Sequence, residues 1–187
     1  MTEQSILALD PLMRACAHGD RAAFQSLARL MGGRMFGLAY RMMNGDHAAA
    51  EDAVQEALIK LWVGAPHWRP TGKVDSYILT IVHHCCIDLY RARKITRPVP
   101  DDLATEGPDV TTTLIAQEEH AALLADIHRL PERQRHAVIM SYYGEETNRE
   151  IGKMMKISEG AVESLLVRAR RTLARDLRPL REQEESP

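Results

Sequence analysis

Aromatic residues are scarce in this chain: two Phe, two Trp and five Tyr among 187 residues. A sheet-built core would show alternating runs of aromatic and β-branched side chains, and none is found, so the apolar content belongs on helices. Cysteine is scarce too. Cys16, Cys85 and Cys86 form no CxxC pair, which argues for a reduced, cytoplasmic protein rather than a disulfide framework. No apolar run approaches the roughly 20 residues of a membrane span. The N-terminal stretch carries Glu3 and Asp10 with no basic start before an apolar run, unlike a signal peptide. Enzyme signatures are missing as well: no glycine-rich phosphate loop, no GxSxG, no HExxH, and no Cys–His arrangement with a supporting context. Neither a catalytic chain nor a cofactor or small-molecule substrate is expected.

What is present is charge, unevenly distributed. The formal net charge of −2 looks wrong for a nucleic-acid binder until it is resolved by segment. Residues 88–97 hold Arg91, Arg93, Lys94 and Arg97 against Asp88, a local +3. Residues 168–181 hold Arg168, Arg170, Arg171, Arg175, Arg178 and Arg181 against Asp176, a local +5. Between them, Asp101, Asp102, Glu106, Asp109, Glu118 and Glu119 give 101–119 a local −6. Each segment therefore calls for its own partner.

Helical periodicity predicts an all-α chain of two small domains. Four helical segments precede residue 95: Asp10–Met31, interrupted near His18–Gly19–Asp20; Arg34–Met43, after Gly32–Gly33; His47–Trp62; and Asp75–Lys94. Gly64, Pro66, Pro70 and Gly72 mark a loop between the last two. Residues 95–117, rich in proline, acids and threonine, read as an extended linker, and a structureless stretch of that length argues for two domains, 1–94 and 118–187. In the second, helices are expected over Glu118–Arg129 and from Leu130–Pro131 to Gly144, before a short polar tail.

The second domain holds the most telling stretch, Thr147–Leu173. Thr147 with Glu150 forms a capping box, Ile151 and Met154 or Met155 face inward, Lys156–Ile157 turns, and Ser158 caps a second helix. Val162, Leu165, Leu166, Ala169, Leu173 and Leu177 give that helix a buried stripe, with arginines further along its outer side. This suits a helix-turn-helix that reads a major groove and grips phosphate. An amphipathic hairpin with a solvated basic face has the same pattern.

Three other constellations stand out. Glu51, Asp52, Gln55 and Glu56 lie on one outer strip of the third helix, either a solvated face or a dock for guanidinium groups. The loop Val63–Val74 gathers His67, Trp68, Arg69 and Lys73, a seat for an unstacked base unless Trp68 plugs the core. His83, His84, Cys85 and Cys86 are consecutive, so on a helix they point about 100° apart and cannot converge on one metal ion. Cys85 is expected in the core, His83 and His84 on more exposed sides. Thr80, His83, His84, Ile87 and Arg91 form a stripe that can lie along a nucleic-acid backbone.

In that order, these motifs resemble a bacterial RNA polymerase sigma factor of the extracytoplasmic-function type (sigma-70 family, group 4) along almost the whole chain. The residues that carry the resemblance are AEDAVQEALIKLW at 50–62, VDSYILTIVHHCCIDLYRARK at 74–94 and LPERQRHAVIMSYYGEETNREIGKMMKISEGAVESLLVRARRTL at 130–173. The resemblance implies a region 2 domain that binds core RNA polymerase through Asp52, Gln55 and Glu56. It implies minus-ten DNA contacts by Trp68, Arg69, Lys73, Thr80, His83, His84 and Arg91, with the loop capturing a flipped base. It implies a region 4 domain reading the minus-thirty-five element with Ser158, Glu159, Ala161, Glu163 and Ser164, backed by Arg168 and Arg171. The acidic linker is similar to one that threads through polymerase. A further implied partner is an anti-sigma factor, membrane-linked in many such systems.

The chain departs from the family where His83 and His84 replace the frequent Arg and Asn, and where Ala161, Glu163 and Leu165 replace Thr and basic residues. Direct minus-thirty-five contacts are therefore expected to be few, leaving more to DNA shape. Two rival readings are a one-component DNA-binding regulator and a helical enzyme or metal-binding bundle using the scattered histidines.

Overall fold

The computed structural model describes residues 9–96, 124–144 and 146–184, with side chains to residue 93 in the first stretch and to residue 175 in the last. The chain divides into two compact units, one within residues 1–105 and one within 106–187. All regular structure among the described residues is helical.

The first unit contains α1 (Leu9–Ala17), α2 (Arg21–Met42), α3 (His47–Gly64), a single 3-10 turn (Ala65–His67) and α4 (Val74–Thr96). Helix α2 packs against the other three, α3 packs on α4, and α1 covers the 3-10 turn and part of α4. The break expected near residue 19 is where α1 gives way to α2. Gly19 takes φ +84°, and the Asp20 carboxylate accepts from the amides of Ala22 and Ala23 at 2.8 and 3.0 Å. That side chain satisfies donors that a helix start leaves without an intrahelical partner.

The structure overturns the second expected break. Helix α2 runs unbroken through Gly32–Gly33, merging two of the expected segments into one. Leu27, Met31, Met35, Leu38 and Met42 recur every three or four residues and are all buried. Burying each contributes about 1.5–3 kcal/mol, against about 1 kcal/mol lost per helical glycine. The stripe outweighs the two glycines.

After α2, Asn44 and Gly45 both adopt left-handed backbone, at φ 59° and 77°, and Asp46 caps α3 by accepting from Ala49 N at 2.9 Å. The Asp46 carboxylate also takes a 2.6 Å bond from Arg93 Nη1, fastening the far end of α4 to the start of α3. Both the Ala49 amide and the Arg93 guanidinium hold Asp46 below the usual carboxylate range, the amide more strongly. The inner face of α3 is small: Ala49, Ala50, Ala53, Ala57 and Leu61 are buried, while the larger Val54, Leu58 and Trp62 are half-buried flanks. Trp62 meets Phe24 edge-on at 5.1 Å.

Three helices pack on α4, so its buried arc is wide. It takes in Val74, Ile78, Leu79, Val82, Cys85 and Cys86, whereas Ile81 and Leu89 are only half-buried. The linker expected at 95–117 lies outside the described residues except for 95 and 96, which continue α4.

The second unit contains α5 (residues 124–129), α6 (Glu132–Tyr142), α7 (Asn148–Met155) and α8 (Glu159–Glu184). Residues 118–123 of the expected helix lie outside the described residues. Ile127, Leu130, Val138, Ile139, Met140, Ile151, Met154, Val162, Leu166 and Ala169 form the core. Met154, not Met155, takes the inward place on α7. Leu165 of the expected stripe is half-buried beside Val162 and Leu166.

Candidate nucleic-acid and protein interfaces

The helix-turn-helix assembles from local chemistry. Thr147 Oγ1 accepts from Glu150 N at 3.3 Å, and the Glu150 carboxylate accepts from Thr147 N at 2.9 Å, completing the capping box. Helix α7 ends at Lys156 in the left-handed region (φ 55°), with Ile157 N donating to Gly152 O at 2.9 Å. A Cβ on Gly152 would stand 2.9 Å from Ile157 O, so the turn closes this tightly only on glycine. Ser158 Oγ then accepts from Ala161 N at 3.2 Å and starts α8.

At the start of α8 and along it, the capping Ser158 and Glu159, Glu163, Ser164, Arg168 and Arg171 are exposed and Ala161 is half-exposed. The Ser164 hydroxyl donates to Gly160 O at 2.9 Å, so toward a base edge its oxygen offers only lone pairs. The basic side is larger than the sequence reading had it. Arg175 continues the line of Arg168 and Arg171, and on α7 Arg149, Lys153 and Lys156 are exposed at spacings of four and three. Applying the helical spacing rule to α7 as well as α8 would have found them.

In the first unit, Asp52, Gln55 and Glu56 are exposed together on the outer face of α3, beside Glu51. Below them, one and two turns on, Ile59 and Val63 are 59% and 66% exposed. Large apolar side chains this open, in line with an acidic strip, extend the face beyond what charge alone indicated. Lys60 reaches from α3 toward Glu56 (3.6 Å) and Asp88 of α4 (3.7 Å), so Glu56 already has a cationic neighbour.

In the loop before α4, Arg69 and Lys73 are exposed and Trp68 is half-exposed, after an extended turn at Trp68 whose N–H donates to Ala65 O at 3.1 Å. Thr80 and His84 on α4 are half-exposed and Arg91 exposed. The Thr80 hydroxyl donates to Ser76 O at 2.6 Å. His83 is a correction: at 1% exposure it lies inside the unit, its ring 5.6 Å from that of His84, and cannot meet a DNA strand. The expectation failed because α4 is covered on three sides, and the stripe drawn through His83 passes into the core. Thr80, His84 and Arg91 are what remain of it.

The cysteines sit where the core needs small apolar groups. Burial pushes the Cys16 and Cys85 thiols up, and Cys86 up to about 12, the opposite of a reactive thiol. Among the described residues no three His, Cys, Asp or Glu side chains converge on a point that could hold a metal, and no helix is long and apolar enough to cross a membrane.

The two units have counterparts in known proteins. Residues 27–95 match the family Sigma-70 region 2, and residues 120–173 match Sigma-70, region 4. Over 168 residues the chain is 33% identical to the ECF RNA polymerase sigma factor SigM of Mycobacterium tuberculosis, covering 88% of this chain and 82% of SigM. It is 27% identical over 174 residues to the ECF RNA polymerase sigma factor SigW of Bacillus subtilis, covering 87% and 92%. CnrH, solved in complex with the cytosolic domain of CnrY, shares the fold at a TM-score of 0.70 and 21% identity, over 92% of this chain and 98% of CnrH. The sigma factor RpoE of Bartonella quintana, solved with the anti-sigma factor NepR, shares it at 0.69 and 19%, over 83% and 96%. Paired region 2 and region 4 matches, at this identity and coverage, make the chain a member of the ECF RNA polymerase sigma factors.

Proposed function

We propose that this sigma factor divides its work among three surfaces, with domain limits at 1–94 and 118–187. The acidic strip of α3 docks on core RNA polymerase through Asp52, Gln55 and Glu56, with Ile59 and Val63 as apolar anchors. The loop 68–73, with Thr80, His84 and Arg91, engages the minus-ten strand. Helix α8 reads the minus-thirty-five element through Ser158, Glu159, Ala161, Glu163 and Ser164, while Arg149, Lys153, Lys156, Arg168, Arg171 and Arg175 grip phosphates. The chain itself catalyses nothing; it acts in the cytoplasm by directing polymerase to promoter DNA. CnrH and RpoE were solved with CnrY and NepR, and a similar anti-sigma partner, linked to the membrane, is proposed to hold this chain inactive.

The observation that carries this reading is the α3 face, where exposed carboxylates run straight into two exposed aliphatic side chains. An acidic face alone suits water; with open apolar groups beside it, the face suits a partner that is basic and apolar together. The test is reconstitution with core polymerase on a genomic promoter library. Wild type gives promoter-dependent transcripts. Asp52→Lys with Glu56→Lys lowers core affinity by about 100-fold or more, the range for reversing close charges in an interface, with thermal unfolding unchanged. Full core binding by that variant would overturn the docking assignment, and no transcript from any library promoter would overturn the function.

A further inference from the structure

The loop that presents Trp68, Arg69 and Lys73 is held from its two ends. At one end Ala65 is fully buried, and a Cβ built on Gly64 would point at Tyr77 Oη 3.4 Å away, so the first turn of α4 lies against the end of α3. At the other end α4 begins on the Lys73 carbonyl, which accepts from Tyr77 N at 3.1 Å, and Val74 is buried. Next to it stands an ion pair that neither the docking face nor the DNA-facing residues use. Arg34 Nη1, from the middle of α2, reaches Asp75 Oδ2 at 2.9 Å, their side chains 20% and 9% exposed. The other Asp75 oxygen accepts from Ser76 N at 2.9 Å. One carboxylate thus ties the first turn of α4 both to itself and to α2.

Resting on the strand-capture reading above, we propose that Arg34 is a positioning residue for the minus-ten loop, acting through Asp75. The two residues are 41 apart in sequence, and the Asp75 carboxylate is withdrawn from solvent, so removing Arg34 leaves a buried carboxylate without the cation that offsets its charge. Relief comes by moving the start of α4 outward, which carries Lys73 and the loop with it. The acidic strip of α3 is anchored elsewhere, by Asp46 and its alanine-lined inner side, away from the helix end that meets the first turn of α4. Stacking a base on an aromatic ring needs close placement, so a displaced loop loses strand affinity before it loses polymerase.

The test uses holoenzyme reconstituted from core polymerase and the full chain, and a short single strand selected by the wild-type holoenzyme from a random-sequence DNA pool. Arg34→Ala and the milder Asp75→Asn each weaken binding of that strand about tenfold, a large part of one base–aromatic stack. Core affinity, measured by competition with wild type, stays unchanged, and Arg34→Lys recovers most of the strand binding. Strand affinity left intact in both variants overturns the proposal, as does a parallel fall in strand and core affinity, which marks a merely structural pair. Failure of the wild type to select any strand overturns the strand-capture reading itself, and the proposal with it.

Discussion

In the first unit the residues proposed to face partners stand on a loop and on the outer faces of two long helices, above a core of three helices wrapped around α2. In the second they stand on α7 and α8, with Lys156 in the turn between the two helices. The first unit fixes its display through long-range ties: Arg34 to Asp75, and Arg93 to Asp46. The second fixes it locally, through the Thr147–Glu150 capping box, the left-handed Lys156 and the close approach at Gly152. A broad core can hold a loop from beneath; a small one must have its exposed helix aimed by the turn that precedes it. The cost to the second unit is a thinner reserve of burial.

Large-to-small substitutions break this comparison most directly. Ile151 and Leu61 are both fully buried, one in each unit. Ile151→Ala and Leu61→Ala each lose about 2–5 kcal/mol. In the second unit that loss exceeds what a small core can spare, so hydrogen exchange on the full chain is expected to show residues 124–175 losing protection together. Leu61→Ala leaves the first unit protected, with faster exchange. The reverse order of sensitivity would show that the first unit, not the second, is the marginal one.

Gly152→Ala comes next. The added methyl meets Ile157 O, a backbone atom that cannot swing aside, and overpacking of this kind costs about 1–3 kcal/mol. The expected signature is lost minus-thirty-five binding by duplex gel shift, with core binding retained, because α8 is re-aimed while α3 is untouched. Equal loss of both activities would mean that the turn does more than aim α8.

A pH dependence separates the units further. His128 in α5 is half-buried, and burial first, then the neighbouring Arg135 guanidinium, lowers its pKa from the ordinary 6.5 to about 4. Arg135 Nη1 also donates to His128 O at 3.0 Å, tying α6 to α5. Between pH 6.5 and 4 the unfolded chain takes up a proton that the folded unit refuses. Stability is therefore full above about 6.5 and falls as the pH drops toward 4. With solvent screening allowed for, the loss is about 1–2 kcal/mol. Protection against exchange, with the intrinsic slowing toward acid pH divided out, should fall between about pH 7 and pH 4.5 in the second unit, and His128→Gln should remove that fall.

What was legible in the sequence follows the same division. The second unit's devices are local, so Thr147 with Glu150, Lys156–Ile157 and Ser158 could be read from spacing alone. The acidic strip of α3 could be read too, because it is a surface pattern of one helix. Long-range facts could not. His83 looks like any polar residue at the edge of an amphipathic stripe, and only the packing of three helices on α4 puts it in the core. The open positions of Ile59 and Val63 contradict the rule that large aliphatics face inward, and nothing short of the fold marks the pairing of Arg34 with Asp75. The α7 cations Arg149, Lys153 and Lys156 are single charges set among Glu150 and apolar residues, so a count of charge by segment does not mark them as the run of arginines on α8 is marked.

The smallest predicted effect concerns the place where local reading failed outright. Two adjacent glycines ordinarily end a helix, yet α2 passes through Gly32 and Gly33 because its buried stripe holds on both sides of them. Neither glycine serves a steric need: a Cβ built on either meets nothing within 4 Å, and neither has positive φ. Gly33 is exposed, so Gly33→Ala adds helix propensity without new contacts and restricts the unfolded chain. The expected gain is about 0.5–1 kcal/mol in the first unit, seen as a higher unfolding midpoint, with core binding and strand capture unaltered. A loss of stability would mean that the helix needs to bend at this point. A gain in stability with weaker strand capture would mean that Arg34, one residue on, depends on a loose turn before it to reach Asp75.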